Sequence, residues 1–197
     1  MSKKLGLTGE MSSGKTVLSN IFESRGVPVY NCDNGSKQLV ISNSDLIQKI
    51  KSEFGETIYD GNIFKNLAKI VFTENAEEKL KTLTALIAPY INADIDLFFD
   101  MNKDKKFCLI ESAILFETDL HKKVDDILYV VVPENIRIKR AIERDGITEK
   151  DYKIRMKNQL SWIDKVRRST FTIHNIDFEI AKETVEYIYN YYNASIN

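Results

Sequence analysis

Five short apolar runs stand out along the chain, separated by stretches in which apolar residues return every three or four positions. Leu5 to Thr8, Val27 to Tyr30, Phe107 to Ile110, Ile127 to Val132 and Phe171 to Ile173 are brief enough for buried strands. Pro28 lies near the start of its run, where a missing backbone donor does least harm. After the first run, Val17, Leu18, Ile21 and Phe22 share one helical face, and Gly26 ends that helix. From Ser36 to about Lys105 the pattern is helical, punctuated by Gly55, Asp60-Gly61 and Pro89. Pro133 closes the fourth strand, and Ile138, Ala141 and Ile142 repeat at helical spacing behind Glu134. A polar helical region, Thr148 to Arg168, precedes the last strand, and Ile180, Val185 and Ile188 of the final helix are expected to face the core. Strands that alternate with helices and are apolar throughout predict an α/β fold, a parallel sheet flanked by helices, with a helical insertion over one edge.

Composition narrows the classes. At 197 residues the chain suits one domain with a full core, and no repeat or linker divides it. Lys and Arg total 28 against 29 Asp and Glu, so a globally basic nucleic-acid binder is not expected. Two cysteines, Cys32 and Cys108, exclude a disulfide framework and imply a reducing compartment. The apolar runs are too short to span a bilayer, and no signal-like apolar region follows Met1-Ser2-Lys3-Lys4. A soluble cytoplasmic protein, with neither nucleic acid nor membrane as partner, is the expectation.

The strongest chemical signal is Gly9-Glu10-Met11-Ser12-Ser13-Gly14-Lys15-Thr16, followed by Val17, which fits G-x-x-x-x-G-K-[ST] at every fixed position. Glycines let the backbone curl so that successive N–H groups face a phosphate. Lys15 supplies a cation for the β- and γ-phosphates, and the Thr16 hydroxyl can ligate Mg²⁺. The helix that follows places its positive end under the same phosphates. A random chain of this length matches the pattern less than about 1% of the time, and here it also lies between a strand and an amphipathic helix, as the motif requires. This marks a nucleoside triphosphate binder without specifying a reaction.

Three further sets of residues bear on the reaction. Asp33 follows the second strand, at the sheet edge where ligands gather in open α/β folds. A carboxylate there can take a hydroxyl proton from a phosphoryl acceptor or help hold Mg²⁺; by residue type alone it can equally form an Asx turn or cap the next helix. Glu111 ends the third strand, where an acidic residue can reach Mg²⁺-bound water, and a solvated strand-end carboxylate is the alternative. Glu117, six residues on, is a weaker candidate by itself. Arg137, Arg140 and Arg144 share a helix face, and Arg155, Lys157, Arg167 and Arg168 follow. Transferring phosphoryl groups need cations beyond the phosphate loop, and a basic lid supplies them and excludes water; a solvated basic face is the alternative. His121 and His174 have no metal-ligand spacing, and the tyrosines at 187, 189, 191 and 192 suit helix packing or a partner surface.

The ordered set of motifs resembles dephospho-CoA kinase from about Leu5 to Asn175. Leu5 through Thr16 looks like that family's L-T-G-G-I-G-S-G-K-S. Gly26-Val27-Pro28-Val29-Tyr30-Asn31-Cys32-Asp33 is similar to G-x-x-V-I-D-A-D, and Ile110-Glu111-Ser112-Ala113-Ile114-Leu115-Phe116-Glu117 to D-x-P-L-L-F-E. Arg140 to Asp145 with Arg155-Met156-Lys157-Asn158-Gln159 resembles its R-x-x-x-R-D and R-x-x-x-Q lid, and Asn175 matches the asparagine of D-N-x-G. The resemblance implies a nucleoside monophosphate kinase-like phosphate-loop core that moves the ATP γ-phosphate, with Mg²⁺, to the ribose 3′-hydroxyl of dephospho-CoA. Asp33 would then orient or deprotonate that hydroxyl, Arg140 and Arg144 would belong to the lid, and Asn175 to the adenine pocket. Thr16 and Glu111 would serve the metal. The implied division is a core of 1–35, 106–139 and 169–197, a substrate-binding insertion of about 36–105 and a lid of about 140–168.

The chain departs from the pattern at Glu10 for a glycine, Asn31 for the first aspartate, Glu111 for an aspartate, Ala113 for a proline and Ala88 for the histidine of a His-Pro pair. The L-D-R after the Gly61 region is not cleanly present, with Phe64 and Lys65 nearby. Another small-molecule or nucleoside monophosphate kinase on the same core, and an ATP-binding regulatory module without turnover, stay open at this point.

Overall fold

The computed structural model describes residues 2–157 and 159–194; Asn158 of the lid motif lies outside them. Five parallel strands, β1 (Lys3–Thr8), β2 (Val29–Asn31), β3 (Phe107–Glu111), β4 (Asp126–Val131) and β5 (Phe171–His174), stand in the order β2-β3-β1-β4-β5. The pleat sorts their side chains. Leu5, Leu7, Phe107, Leu109, Leu128 and Val130 face a core closed by α1 (Lys15–Ser24) and α9 (Phe178–Ala194). Cys108, Ile110 and Ile127 face the other way, onto Ile91, Ile95 and Phe99 of α5 (Glu77–Met101). Burial on both faces is why the inner strands β1, β3 and β4 read as continuous apolar runs instead of alternating ones; the edge strands β2 and β5 are only partly buried.

The stretch between β2 and β3 forms α2 (Cys32–Ser42), α3 (Ser44–Phe54), a 3₁₀ turn at Glu56–Tyr59, α4 (Ile63–Val71) and α5. It has a core of its own, with Val40, Leu46, Ile50, Leu67 and Leu83 at its centre, and α5 ties that core to the sheet. Gly55 and Asp60-Gly61 do interrupt the helices. Pro89 does not: it lies inside the 25-residue α5. Proline removes one helical hydrogen bond at a cost of about 3 kcal/mol. Leu83, Ile91, Ile95 and Phe99 bury α5 on both sides of it, and that burial outweighs the cost.

Other boundaries moved for local reasons. Strand β2 starts at Val29, since Pro28 has no N–H to give the ladder, although its carbonyl accepts from Leu109 N at 2.9 Å. Helix α2 starts at Cys32, four residues ahead of the Ser36 expectation, because Asn31 caps it. Ile180, expected in the core, is exposed together with Val17 and Ile142; each sits at the margin of its helix's apolar stripe, whose centre is filled by Val185 and Ile188, by Leu18 and Phe22, and by Ala141. After β4 come α6 (Glu134–Asp145), α7 (Glu149–Met156) and α8 (Trp162–Arg167). No helix among the described residues is long and apolar enough to cross a membrane.

Candidate active site

The carboxyl ends of β1, β2 and β3 open into a cleft of about 950 Å³, bordered by Lys15, Thr16, Asp33, Glu111 and, from the far side, Arg144 and Arg155. The loop from Gly9 to Gly14 forms its floor. Gly14 has φ 88°, a conformation that side chains resist, and a Cβ there would lie 2.3 Å from Asn175 Nδ2. At Gly9 a Cβ would come within 2.8 Å of the Val130 carbonyl oxygen. Gly9 is therefore required by the close approach of the β4 backbone, and Gly14 by its left-handed conformation.

Lys15 is buried, and its Nζ donates to the carbonyl oxygens of Gly9 at 2.8 Å and Glu10 at 3.0 Å. Burial lowers the pKa of its ammonium, and Asp33, Glu111 and Glu10 pull it back up. Ser12, which borders the cleft, has a buried hydroxyl with no hydrogen-bond partner in the structure, which a phosphate can use. Met11, Ser12, Gly14, Lys15, Thr16 and Val17 border the cleft. The Glu10 side chain does not. It is 3% exposed and turned under the loop toward Tyr129 of β4, whose hydroxyl is pushed up in pKa by burial and by that carboxylate.

Glu111 is the hub of the metal-side residues. Its Oε1 accepts from Thr16 Oγ1 at 2.6 Å, and its Oε2 accepts from Ser19 Oγ at 2.7 Å and Asn31 Nδ2 at 2.9 Å. Glu111 is 4% exposed, so it is not a freely solvated strand-end carboxylate. The Thr16 hydroxyl and the Glu111 carboxylate supply hard oxygen donors beside the phosphate loop, a set that suits Mg²⁺. Among the described residues no group of three or more His, Cys, Asp or Glu could hold a metal by itself. Mg²⁺ in nucleotide sites is typically bound through one or two carboxylates plus substrate phosphates, so the residues fit it.

Asp33 is not the helix cap. Asn31 takes that role, its Oδ1 accepting from Asn34 N at 2.9 Å, and Asp33 is left in the first turn of α2 facing the cleft. Its carboxyl is reachable across the cleft and walled by protein elsewhere. That partial burial raises its pKa; Lys15 and Lys37 oppose the shift, and Glu111 adds to it.

Of the arginine face, Arg144 borders the cleft and pairs with Asp145 at 2.8 Å. Arg137 is buried, donating to the Val132 carbonyl at 3.0 Å and to the Tyr152 hydroxyl, so it braces α6 against α7. Arg140 donates to the Asn175 carbonyl at 3.0 Å, and Asn175 Nδ2 donates to the Ser13 carbonyl at 2.8 Å. These two lie behind the phosphate loop. Neither is among the described residues that border the cleft.

Sequence reasoning passed over Ser19, Asn31 as a Glu111 ligand, and Lys165. Ser19 had a usable signal, since it follows Thr16 by one helical turn. Lys165 had none: nothing in its neighbourhood marks a lysine whose side chain is 0% exposed.

A second cavity of about 370 Å³ opens beside the first, lined chiefly by apolar faces of α2, α4 and α5, including Val40, Leu67, Leu83, Ile87 and Ile91. Asp33 is the one charged residue, among those described, that borders both.

Comparison with known proteins agrees with this architecture. The family model described as dephospho-CoA kinase matches residues 4–180. A dephospho-CoA kinase of Listeria monocytogenes is 29% identical over 180 residues, 89% of each chain. One of Arabidopsis thaliana is 31% identical over 178 residues, covering 87% of this chain and 75% of its own. The solved dephospho-CoA kinase of Campylobacter jejuni superimposes with a TM-score of 0.68 over 99% of this chain and 100% of its own, at 22% identity, which speaks to the fold. The chain therefore belongs to the dephospho-CoA kinase family, as an ATP-dependent phosphotransferase on a phosphate-loop kinase fold.

Proposed function

We propose that this kinase carries the ATP γ-phosphoryl group to the ribose 3′-hydroxyl of dephospho-CoA through Asp33, and that the two cavities divide its substrates between them. The observation that carries the proposal is the place of Asp33 at their junction. The polar cleft takes the triphosphate. The apolar cavity, walled by the insertion of about 36–105, takes the acceptor with its pantetheine arm. An acceptor hydroxyl presented from the apolar side then meets a carboxylate on the same edge as Lys15.

The raised pKa of Asp33 suits it to accepting a hydroxyl proton, because a carboxylate held above its ordinary range is a stronger base. Lys15 bridges the β- and γ-phosphates, and the backbone amides of 10–16 cradle them. Arg144, Arg155 and Lys157 of the lid, about 140–168, stand across the cleft where charge spreads over the transferring group. Arg140 and Asn175 act from behind the loop, fixing the Ser13 carbonyl and with it the direction of the neighbouring amides. Thr16 and Glu111 would hold Mg²⁺, which would supply neutralisation of the charge on the β- and γ-phosphates.

The test is ATP-dependent formation of coenzyme A from dephospho-CoA by the purified protein, with nucleoside monophosphates and shikimate as competing acceptors. Turnover confined to dephospho-CoA, and lost in both Lys15→Ala and Asp33→Asn, is the expected result. Turnover that survives Asp33→Asn would sink the proposed base, and preference for another acceptor would sink the assignment of the apolar cavity.

A further inference from the structure

Among the described residues, a buried lysine of the lid pairs with a carboxylate of the core, beside the contacts that Arg168 makes with His121 and Phe116. Lys165 of α8 has a side chain that is 0% exposed, and its Nζ lies 2.8 Å from Glu117 Oε1, in the segment that follows β3. The same carboxylate oxygen accepts from the backbone N–H of Leu160 at 2.8 Å, and Lys165 Nζ also reaches Gln159 Oε1 at 3.3 Å. Glu117, Gln159 and Leu160 all border the nucleotide cleft. The second oxygen, Glu117 Oε2, is buried and makes no hydrogen bond within the structure.

Stability does not account for this arrangement. Removing two charges from water usually costs as much as their attraction returns, and apolar pairs of similar volume often do as well. What the pair does possess is location. It joins residues 159–165 to the core at the edge of the phosphate site, and the Lys165 charge is close enough to Lys15 to be one of the influences that lower its pKa. With Glu117 ionised and Lys165 protonated the two contribute no net charge to the cleft. Without Lys165, a carboxylate held only by the Leu160 N–H, with no cation against it, stands on a wall that must face a triphosphate.

We propose that Lys165 is a positioning residue for phosphoryl transfer: by holding Glu117 it fixes Gln159 and Leu160 on the cleft wall and cancels a negative charge that would repel the nucleotide. The inference rests on the cleft being the nucleotide site. It assigns different consequences to the two halves of the pair, which a merely structural ion pair would not.

Lys165→Met, Glu117→Gln and the double variant test it, with the affinity of a fluorescent ATP analogue, kcat and KM for ATP, and the melting temperature measured for each. Lys165→Met is expected to weaken nucleotide binding on the order of tenfold or more, because an uncompensated charge remains in a low-dielectric wall. Glu117→Gln leaves the cation, so affinity holds or rises while kcat falls with the loosened lid. The double variant restores charge balance and returns affinity to within a few-fold of the wild type, with kcat still reduced. Should Lys165→Met fail to fold, the charge-neutral double variant carries the test alone, and a double variant with wild-type kcat overturns the proposal. So does a double variant that binds nucleotide as poorly as a folded Lys165→Met. A wild type that binds no nucleotide overturns the site reading itself and this inference with it. A wild type that binds and turns over, beside a Lys165→Met indistinguishable from it, overturns the inference alone.

Discussion

The two halves of the cleft are built in opposite ways. The nucleotide half comes from one continuous segment, Gly9 to Val17, whose conformation is dictated residue by residue: Gly14 by its backbone and its contact with Asn175, Lys15 by two loop carbonyls, Thr16 by Glu111. The half proposed for the acceptor is a shape, a cavity of about 370 Å³ gathered mainly from apolar side chains of α2, α4 and α5. A phosphate demands fixed donors at fixed angles, so its site leaves a motif. An apolar arm demands volume, and many residue combinations supply volume. Function at the first half is therefore sensitive to single atoms, and function at the second to bulk.

Asp33 stands between the two, and changing it separates them most sharply. Asp33→Asn is expected to lower kcat by about 10²–10⁴, the usual worth of a general base, while ATP affinity is kept or improved by the loss of a negative charge beside the phosphates. Stability should move the other way. The pKa of Asp33 is raised in the folded chain above its ordinary 3.8, so its ionised form costs stability at neutral pH, and the cost disappears as pH falls through the raised value. Asp33→Asn should then melt higher than the wild type near pH 7, with the gap closing as pH is lowered toward 3.8. A variant that melts lower at every pH would show that the carboxylate is structural.

Lys15→Met attacks the nucleotide half alone. It removes the cation that both binds phosphate and ties Gly9 to Glu10, and a loss of about 10²–10³ in kcat/KM for ATP is expected. The KM for dephospho-CoA, measured at saturating ATP, should stay near that of the wild type. Ala68→Trp is the complementary change. Ala68 lines the 370 Å³ cavity, and an indole there takes up space without touching the phosphate loop. The KM for dephospho-CoA should rise about tenfold or more with the KM for ATP unmoved, since occupied pocket volume is lost binding. If ATP affinity fell as well, the two halves would not be separable.

The same contrast explains what the sequence made legible. The phosphate loop, the place of Asp33 and the three inner strands β1, β3 and β4 could be read directly, because backbone geometry or two-sided burial restricts the residue types there, while the partly buried edge strands β2 and β5 showed only as short apolar runs. The bounds of the insertion were legible only in outline. Its helices are held by a core of their own, and tertiary burial carried α5 through Pro89 against local propensity. Glu10, which by its position in the motif would face the phosphates, is turned under the loop instead, a rotation that no sequence pattern encodes. Lys165 was illegible for a related reason: its partner, Glu117, is 48 residues away in sequence and adjacent only in the fold.

Asn31 and Glu111 offer the finest cut, because two departures from the family pattern meet in one hydrogen bond. Asn31 Nδ2 donates to Glu111 Oε2 at 2.9 Å while its Oδ1 caps α2. An aspartate at 31 would keep the cap and lose the donor, placing a second carboxylate against Glu111. Asn31→Asp is expected to cost about 1–3 kcal/mol, the range for an unpaired buried polar group, read as a lower melting temperature in the absence of divalent ions. Two facing carboxylates attract a cation more strongly than one, so Mg²⁺ should raise the melting temperature of Asn31→Asp more than that of the wild type. Glu111→Gln in the Asn31→Asp background should remove both the penalty and the added Mg²⁺ response. If Mg²⁺ shifts all three proteins equally, the Asn31–Glu111 bond has no part in the metal side of the site and serves only to seat α2 against β3.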